Sequence, residues 1–285
     1  MIYKTNFKNY LFVLLTISMI LSCNKSEFTE VIIQGNIVNP MGNTIQLVGP
    51  GEMEDGTLSL NFQKEANVDE NGNFIDTLNL KSSGYFFFIH GRERTQLFLE
   101  PGDNLTINLD SKQFDESITF SGEGSENNTF LKKRFLFQEN NGVNVIEMSK
   151  LESKEYLNQV DSLKQWELSF LKENQNISNN FINIEKKNSH YKFLQALERY
   201  PLYHEFYAKK EAVYDESFMS PLNSIDYTNQ DDYILFPDFK NLVMSYYQNI
   251  FNKSDNLKED LRKLNLSKST IIKRDLVNQG VYLLS

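Results

Sequence analysis

Along this chain the hydrophobic period changes once, near residue 122, from the alternation of strands to the wider spacing of helices. From Val31 to Phe120, short runs rich in Val, Ile, Phe and Thr are separated by turn signals. Residues 31–38 read as a strand and 44–48 as its hairpin partner. Asn71-Gly72 is a tight-turn pair, because glycine takes positive φ without a Cβ clash, and the partly alternating strand 74–80 follows it. Residues 84–89 and 95–99 flank a polar connection, and Pro101-Gly102 fits the central pair of a type II turn. Residues 105–109 alternate strictly, so one face is buried and the other wet. Roughly seven or eight such strands predict an antiparallel sandwich or a partly open barrel.

Beyond Ser125 the pattern lengthens. Leu157, Val160, Leu163, Trp166 and Phe170 form one apolar stripe, and Ser149 with Glu152 predicts a capping box in front of it. A second helix is expected over 180–199, with Phe181, Ile184, Tyr191, Leu194 and Leu197 inward. Pro201 should end it or start the next, since proline has no N–H for a continuing helix. Further helices are expected over 202–213, 239–251, 257–264 and 269–284, separated by a turn-like 223–230 and Pro237. The chain therefore reads as α+β, with a sandwich domain over 31–121 and a helical domain over 122–285.

The N-terminus carries an address. Lys4 and Lys8 precede an apolar run from Leu11 to Leu21, and Ile20-Leu21-Ser22 leads to Cys23, the sole cysteine. This order resembles a bacterial lipobox, in which the thiol is diacylated and the chain is cut before it. Residues 1–22 are then a signal peptide and 23–30 a lipidated tether. The run is short for a helix spanning ~30 Å of hydrocarbon. The expected location is the cell envelope, anchored by lipid and facing the periplasm or the cell surface. With Cys23 acylated, no disulfide can form within the chain, and stability rests on burial, which about 260 residues can supply. The formal charge is −9, or −11 once Lys4 and Lys8 are removed, which argues against nucleic-acid binding.

Three segments carry a wider resemblance. Leu97-Phe-Leu-Glu-Pro-Gly-Asp-Asn-Leu-Thr-Ile is an apolar strand, a Pro-Gly-Asp turn and an alternating strand. Ile118 to Leu131 is a last strand closing onto a helix start through Gly122-Glu-Gly-Ser-Glu-Asn. Glu185, Tyr191 and Tyr200-Pro201 follow. In this order they resemble the N-terminal region of TlpA-like thiol–disulfide oxidoreductase lipoproteins. There a lipid-anchored sandwich module of unassigned activity is followed by a helical segment and a thioredoxin-like domain. That domain holds the family's Cys-x-x-Cys, and no such pair occurs in this sequence; Trp166 has no cysteine near it. Exchange requires a thiolate, so the resemblance implies a non-catalytic spacer or recognition portion, not an enzyme as this chain stands. Two readings of the helical ending at Leu284-Ser285 stay open, a portion that stands alone and a piece of a longer reductase.

Other candidate chemistry is thin. No cofactor is expected. His90, His190 and His204 lack the spacing of a zinc site; His204-Glu205 begins like a metalloprotease helix, but Ala208 occupies the second ligand position. Helix-face or surface positions are their ordinary reading. Glu52, Glu54 and Asp55, like Asp231-Asp232, lack the spacing of a calcium loop and read as solvated turns. Gly122–Asn127 reads as an ordered junction with Ser125 as N-cap. In Tyr85-Phe-Phe-Phe, Phe86 and Phe88 face one way and Tyr85 and Phe87 the other. An exposed aromatic face at Tyr85 and Phe87 is the expected binding surface, for another envelope protein, a glycan or a peptide.

Overall fold

The computed structural model describes residues 29–49, 53–54, 57–58, 62–174, 176–252 and 269–283. Cys23, the acidic residues Glu52 and Asp55, the side chain of Glu54 and the expected helix 257–264 lie outside them.

The strands are β1 (Thr29–Val38), β2 (Thr44–Gly49), β3 (Met53–Glu54), β4 (Thr57–Leu58), β5 (Phe62–Asn67), β6 (Asn73–Leu80), β7 (Gly84–His90), β8 (Glu93–Leu99) and β9 (Asn104–Asp110). A single turn, α1 (Phe114–Ser117), precedes β10 (Thr119–Gly122). They form two four-stranded sheets, ordered β10-β9-β1-β6 and β5-β2-β7-β8, with β3 and β4 a separate ribbon. Alternate residues of each strand point between the sheets: Val31, Ile33 and Ile37 of β1 meet Ile45, Leu47, Phe86, Phe88 and Leu97 of the facing sheet. No closed barrel forms among the described residues.

The wiring departs from the sequence expectation in two places. β1 and β2 are not a hairpin: β1 pairs with β6 and in parallel with β9, while β2 pairs with β5 and β7. The chain between them crosses from one sheet to the other, because each strand has one apolar face and the two faces bury each other. His90 fixes that crossing; its Nε2 accepts the Met41 N–H at 2.8 Å and its Nδ1 lies 2.9 Å from the Thr44 carbonyl. The parallel β1–β9 pair makes one sheet mixed rather than purely antiparallel. The turn at Gly102 does form, with φ of 95° and Asp103 N–H donating to Glu100 O at 3.1 Å.

The helices are α2 (Ser125–Asn140), α3 (Val145–Ser149), α4 (Ser153–Glu173), α5 (Asn179–Ala208), α6 (Glu216–Met219), α7 (Gln230–Leu235), α8 (Pro237–Asn252) and α9 (Thr270–Leu283). Three local expectations are corrected. Gly124, not Ser125, caps α2, with φ of 86°. Ser149 and Glu152 form no capping box, since the Ser149 hydroxyl donates instead to Val145 O within α3. Pro201 lies inside α5. On one side of it Tyr200 donates to Leu151 O at 2.9 Å, and on the other His204 Nδ1 lies 2.9 Å from Ser149 O. Those buried anchors hold both halves of the helix in line against the missing hydrogen bond.

The two layers meet at β8, an edge strand. Asn128 of α2 is fully buried, and its amide both accepts from Phe98 N–H at 2.8 Å and donates to Phe98 O at 2.9 Å. It substitutes for a neighbouring strand and closes an edge that would otherwise invite pairing with another chain. Phe98, Phe130, Leu131, Leu171 and Phe181 pack around that contact.

Candidate functional site

Tyr85 and Phe87 share the outer face of β7, as alternation requires, but their surroundings differ. Tyr85 packs edge-on to Phe98, with ring centroids 5.2 Å apart, and donates to Glu185 Oε1 at 2.6 Å. Glu185 also takes the Arg134 guanidinium, and both charged side chains are almost wholly buried. Burial works to raise the Glu185 carboxyl, but Arg134 and the Tyr85 hydroxyl overcome it and hold the group below the ordinary carboxylate range. Burial and the neighbouring Glu185 push the Tyr85 phenol far up, so it stays protonated and acts as a donor. Tyr85 therefore belongs to the joint between the layers. Phe87 is exposed, with the Arg94 guanidinium 5.2 Å from its ring centre.

His90, His204 and Asp232 are internal fasteners. His204 and His190 lie on α5, the first buried and the second partly exposed, whereas His90 is buried on β7, neither on a helix face nor at the surface. No group of three metal-ligating side chains occurs among the described residues. Asp232 is buried, not a solvated turn; it accepts from Lys187 at 2.9 Å, Tyr191 at 2.6 Å and Asn229 at 3.0 Å.

A cleft of about 800 Å³ opens between the end of α2, residues 141–143, α3, α4, α5 and the start of α8. Phe137, Val160, Leu163, Trp166 and Phe193 line it. Trp166 stacks on Phe137 at 4.3 Å with the planes 16° apart, and on Phe170 at 5.4 Å. Lys164 lies 4.4 Å above the Phe193 ring. Charged groups sit among the apolar ones. Lys192 pairs with Glu167 at 3.0 Å, while Arg199 makes no hydrogen bond or ion pair with a described residue. Asp238 lines the same cleft; burial pushes its carboxyl up, and Lys192 and Arg199 partly restrain it. Ser189 lines it as well, buried and with its hydroxyl unpartnered among the described residues.

The sequence puts Trp166 and Phe170 on one apolar stripe and does not by itself assemble the cleft. The available signal was the recurrence of Ser189, Lys192, Ala196, Arg199 and Tyr203 at spacings of three and four, a mixed stripe running along one face of α5.

The outer face of the β10-β9-β1-β6 sheet carries a second pattern. Register places Thr119 beside Asn108, Asn108 beside Asn36, and Asn36 beside Asn73, one row of hydroxyl and amides across four strands. Gln34 and Asn104 add to it, joined at 3.3 Å. Several of these residues line an open depression of about 910 Å³.

No protein-family model and no curated protein matches this chain. Among solved structures, a Bacteroides ovatus protein provisionally assigned to cell adhesion aligns over 34% of this chain and 43% of its own, at 11% identity and a TM-score of 0.23. A likeness that slight carries no argument about fold or role.

Proposed function

We propose that this chain is a lipid-anchored envelope lipoprotein whose body recognises and spaces rather than transforms, as the non-catalytic portion of a TlpA-like thiol–disulfide oxidoreductase. The observation that carries the reading is Cys23: it is the sole cysteine, and it stands at the end of a lipobox-like run. Acylated there, it leaves the exported body without a thiolate. The buried Tyr85–Glu185–Arg134 joint supports the spacer role, because it fastens sandwich to helices. Palmitate labelling in a bacterial host, with and without globomycin, tests the anchor. Incorporation into the parent chain and its loss in Cys23→Ser is the expected result; equal labelling of both refutes it. Purified residues 24–285 should show no turnover in insulin reduction, and measurable turnover would end the non-catalytic reading.

A second reading, a glycan-binding lipoprotein, is favoured by the Thr119–Asn108–Asn36–Asn73 row. Uncharged amides and hydroxyls in register match the donors and acceptors of a neutral sugar chain. Titration of the protein with soluble β-glucan and α-mannan oligosaccharides, followed by amide NMR, distinguishes it. Shifts in the Asn36 and Asn108 side-chain amides support sugar binding on this face, and their absence removes it.

A further inference from the structure

The helical cleft combines an apolar body with one uncommitted cation. Its aromatic and aliphatic wall, Phe137, Leu163, Trp166 and Phe193, runs from the end of α2 along α4 and α5. Its volume, about 800 Å³, lies within the range of about 300–1,000 Å³ that small-molecule sites occupy. From Ser189 to Tyr203 the lining stripe of α5 covers roughly 20 Å at the helical rise of about 1.5 Å per residue. That shape suits an extended ligand better than a compact one. Of the cations present, Lys192 is engaged by Glu167 and Lys164 rests on the Phe193 ring. Arg199 alone makes no hydrogen bond, ion pair or ring contact with a described residue. A guanidinium never loses its charge in a protein and matches a carboxylate with two parallel N–H bonds.

We propose that this cleft binds a linear amphiphilic carboxylate of the fatty-acid class. Its hydrocarbon lies along Trp166, Leu163 and Phe193, and its carboxylate is received by Arg199. Asp238 is the opposing group: it lines the same cleft, near Lys192 and Arg199 of α5 and Glu167 of α4. Neutralising Asp238 removes a like charge from the path of the ligand's head, so Asp238→Asn should bind more tightly than the parent. This site stands on the cleft alone and does not depend on the anchor at Cys23.

Trp166 is the sole tryptophan of the chain and forms part of the wall, so its emission reads the site directly. The experiment titrates residues 24–285, which retain every described element, with dodecanoate, dodecylamine and dodecanol below their micellar concentrations. Dodecanoate should give a saturable change in emission, with at least tenfold weaker binding of the amine and the alcohol. Arg199→Gln should weaken dodecanoate about tenfold, Arg199→Lys should weaken it less because it keeps the charge but loses the paired N–H bonds, and Asp238→Asn should raise the affinity severalfold. Ala196→Phe projects a ring into the cleft from α5 and should abolish the response while the far-ultraviolet circular dichroism stays unchanged. No saturable response to dodecanoate, equal binding of amine or alcohol, or full binding by a folded Ala196→Phe protein would each overturn the assignment.

Discussion

Arg134 and Glu185 meet where the sandwich joins the helices, with their side chains only 9% and 4% exposed. Two charges this far from water are stable only together, because each alone keeps its desolvation cost without its partner. Glu185→Gln or Arg134→Met should therefore destabilise the protein by about 3–5 kcal/mol in urea denaturation. The paired replacement of Arg134 and Glu185 by Met and Leu should cost much less than the two singles combined. A single variant within 1 kcal/mol of the parent would contradict the joint as described.

Tyr85 and Phe87, two residues apart on one strand, should respond oppositely to substitution. Tyr85→Phe keeps the ring against Phe98 but removes a donor to a buried carboxylate, a loss of about 1.5–3 kcal/mol. Phe87→Ala alters an exposed ring and should shift stability by no more than about 0.5 kcal/mol. Thermal melts of the two proteins side by side make the comparison; equal losses would contradict it.

Asp103 sets a pH dependence. It is buried at the Pro101-Gly102 turn, and desolvation, with Glu100 and Glu123 nearby, raises its carboxyl from the ordinary aspartate value of about 3.9 to about 6. The folded state thus holds the proton more tightly than the unfolded chain between those values. Unfolding free energy should fall as pH rises through that window, by on the order of 1 kcal/mol. Asp103→Asn keeps an oxygen to accept the Glu100 N–H and removes the charge, so its urea midpoint should vary less from pH 4 to 6. Identical pH profiles for the two proteins would count against this.

Pro201 offers a test of the α5 geometry. A proline inside a helix costs up to about 3 kcal/mol relative to alanine through the absent N–H and the clash with the preceding turn. Because Tyr200 and His204 already hold the helix, Pro201→Ala should add roughly 1–3 kcal/mol to stability without changing helical content. A drop in melting temperature would mean that the proline ring itself contributes packing at this position.

The strands with clean alternation, such as 105–109, were legible because one buried face imposes a period of two. β5 was not: Phe62, Lys64 and Ala66 make a weak inner face, since an edge strand covers little core and can be polar. The β1–β2 connection was misassigned because adjacency in sequence favours a hairpin, whereas the choice of sheet depends on distant partners. The proline rule failed at Pro201 because tertiary hydrogen bonds of Tyr200 and His204 outweighed local preference, and the capping rule failed at Ser149 because its hydroxyl bonds back to Val145 O in the preceding turn. Asp232 looked like a wet turn because its partners Lys187 and Tyr191 lie more than forty residues upstream. The mixed stripe of α5 was visible, but a spacing rule cannot tell a cleft wall from a face open to bulk water.

At thirty residues, α5 is about 45 Å long at the helical rise of about 1.5 Å per residue. Along it Phe181 enters the core at the sandwich, Ile184 and Tyr191 enter the core formed with α8 and α9, and Leu197 and Tyr200 enter the one formed with α4 and α6. It works as an axle common to three hubs. None of the hubs can open without exposing part of it, so the helical half should melt as one cooperative body. Its amide protons, from Phe181 to Tyr200, should be the last to exchange with heavy water.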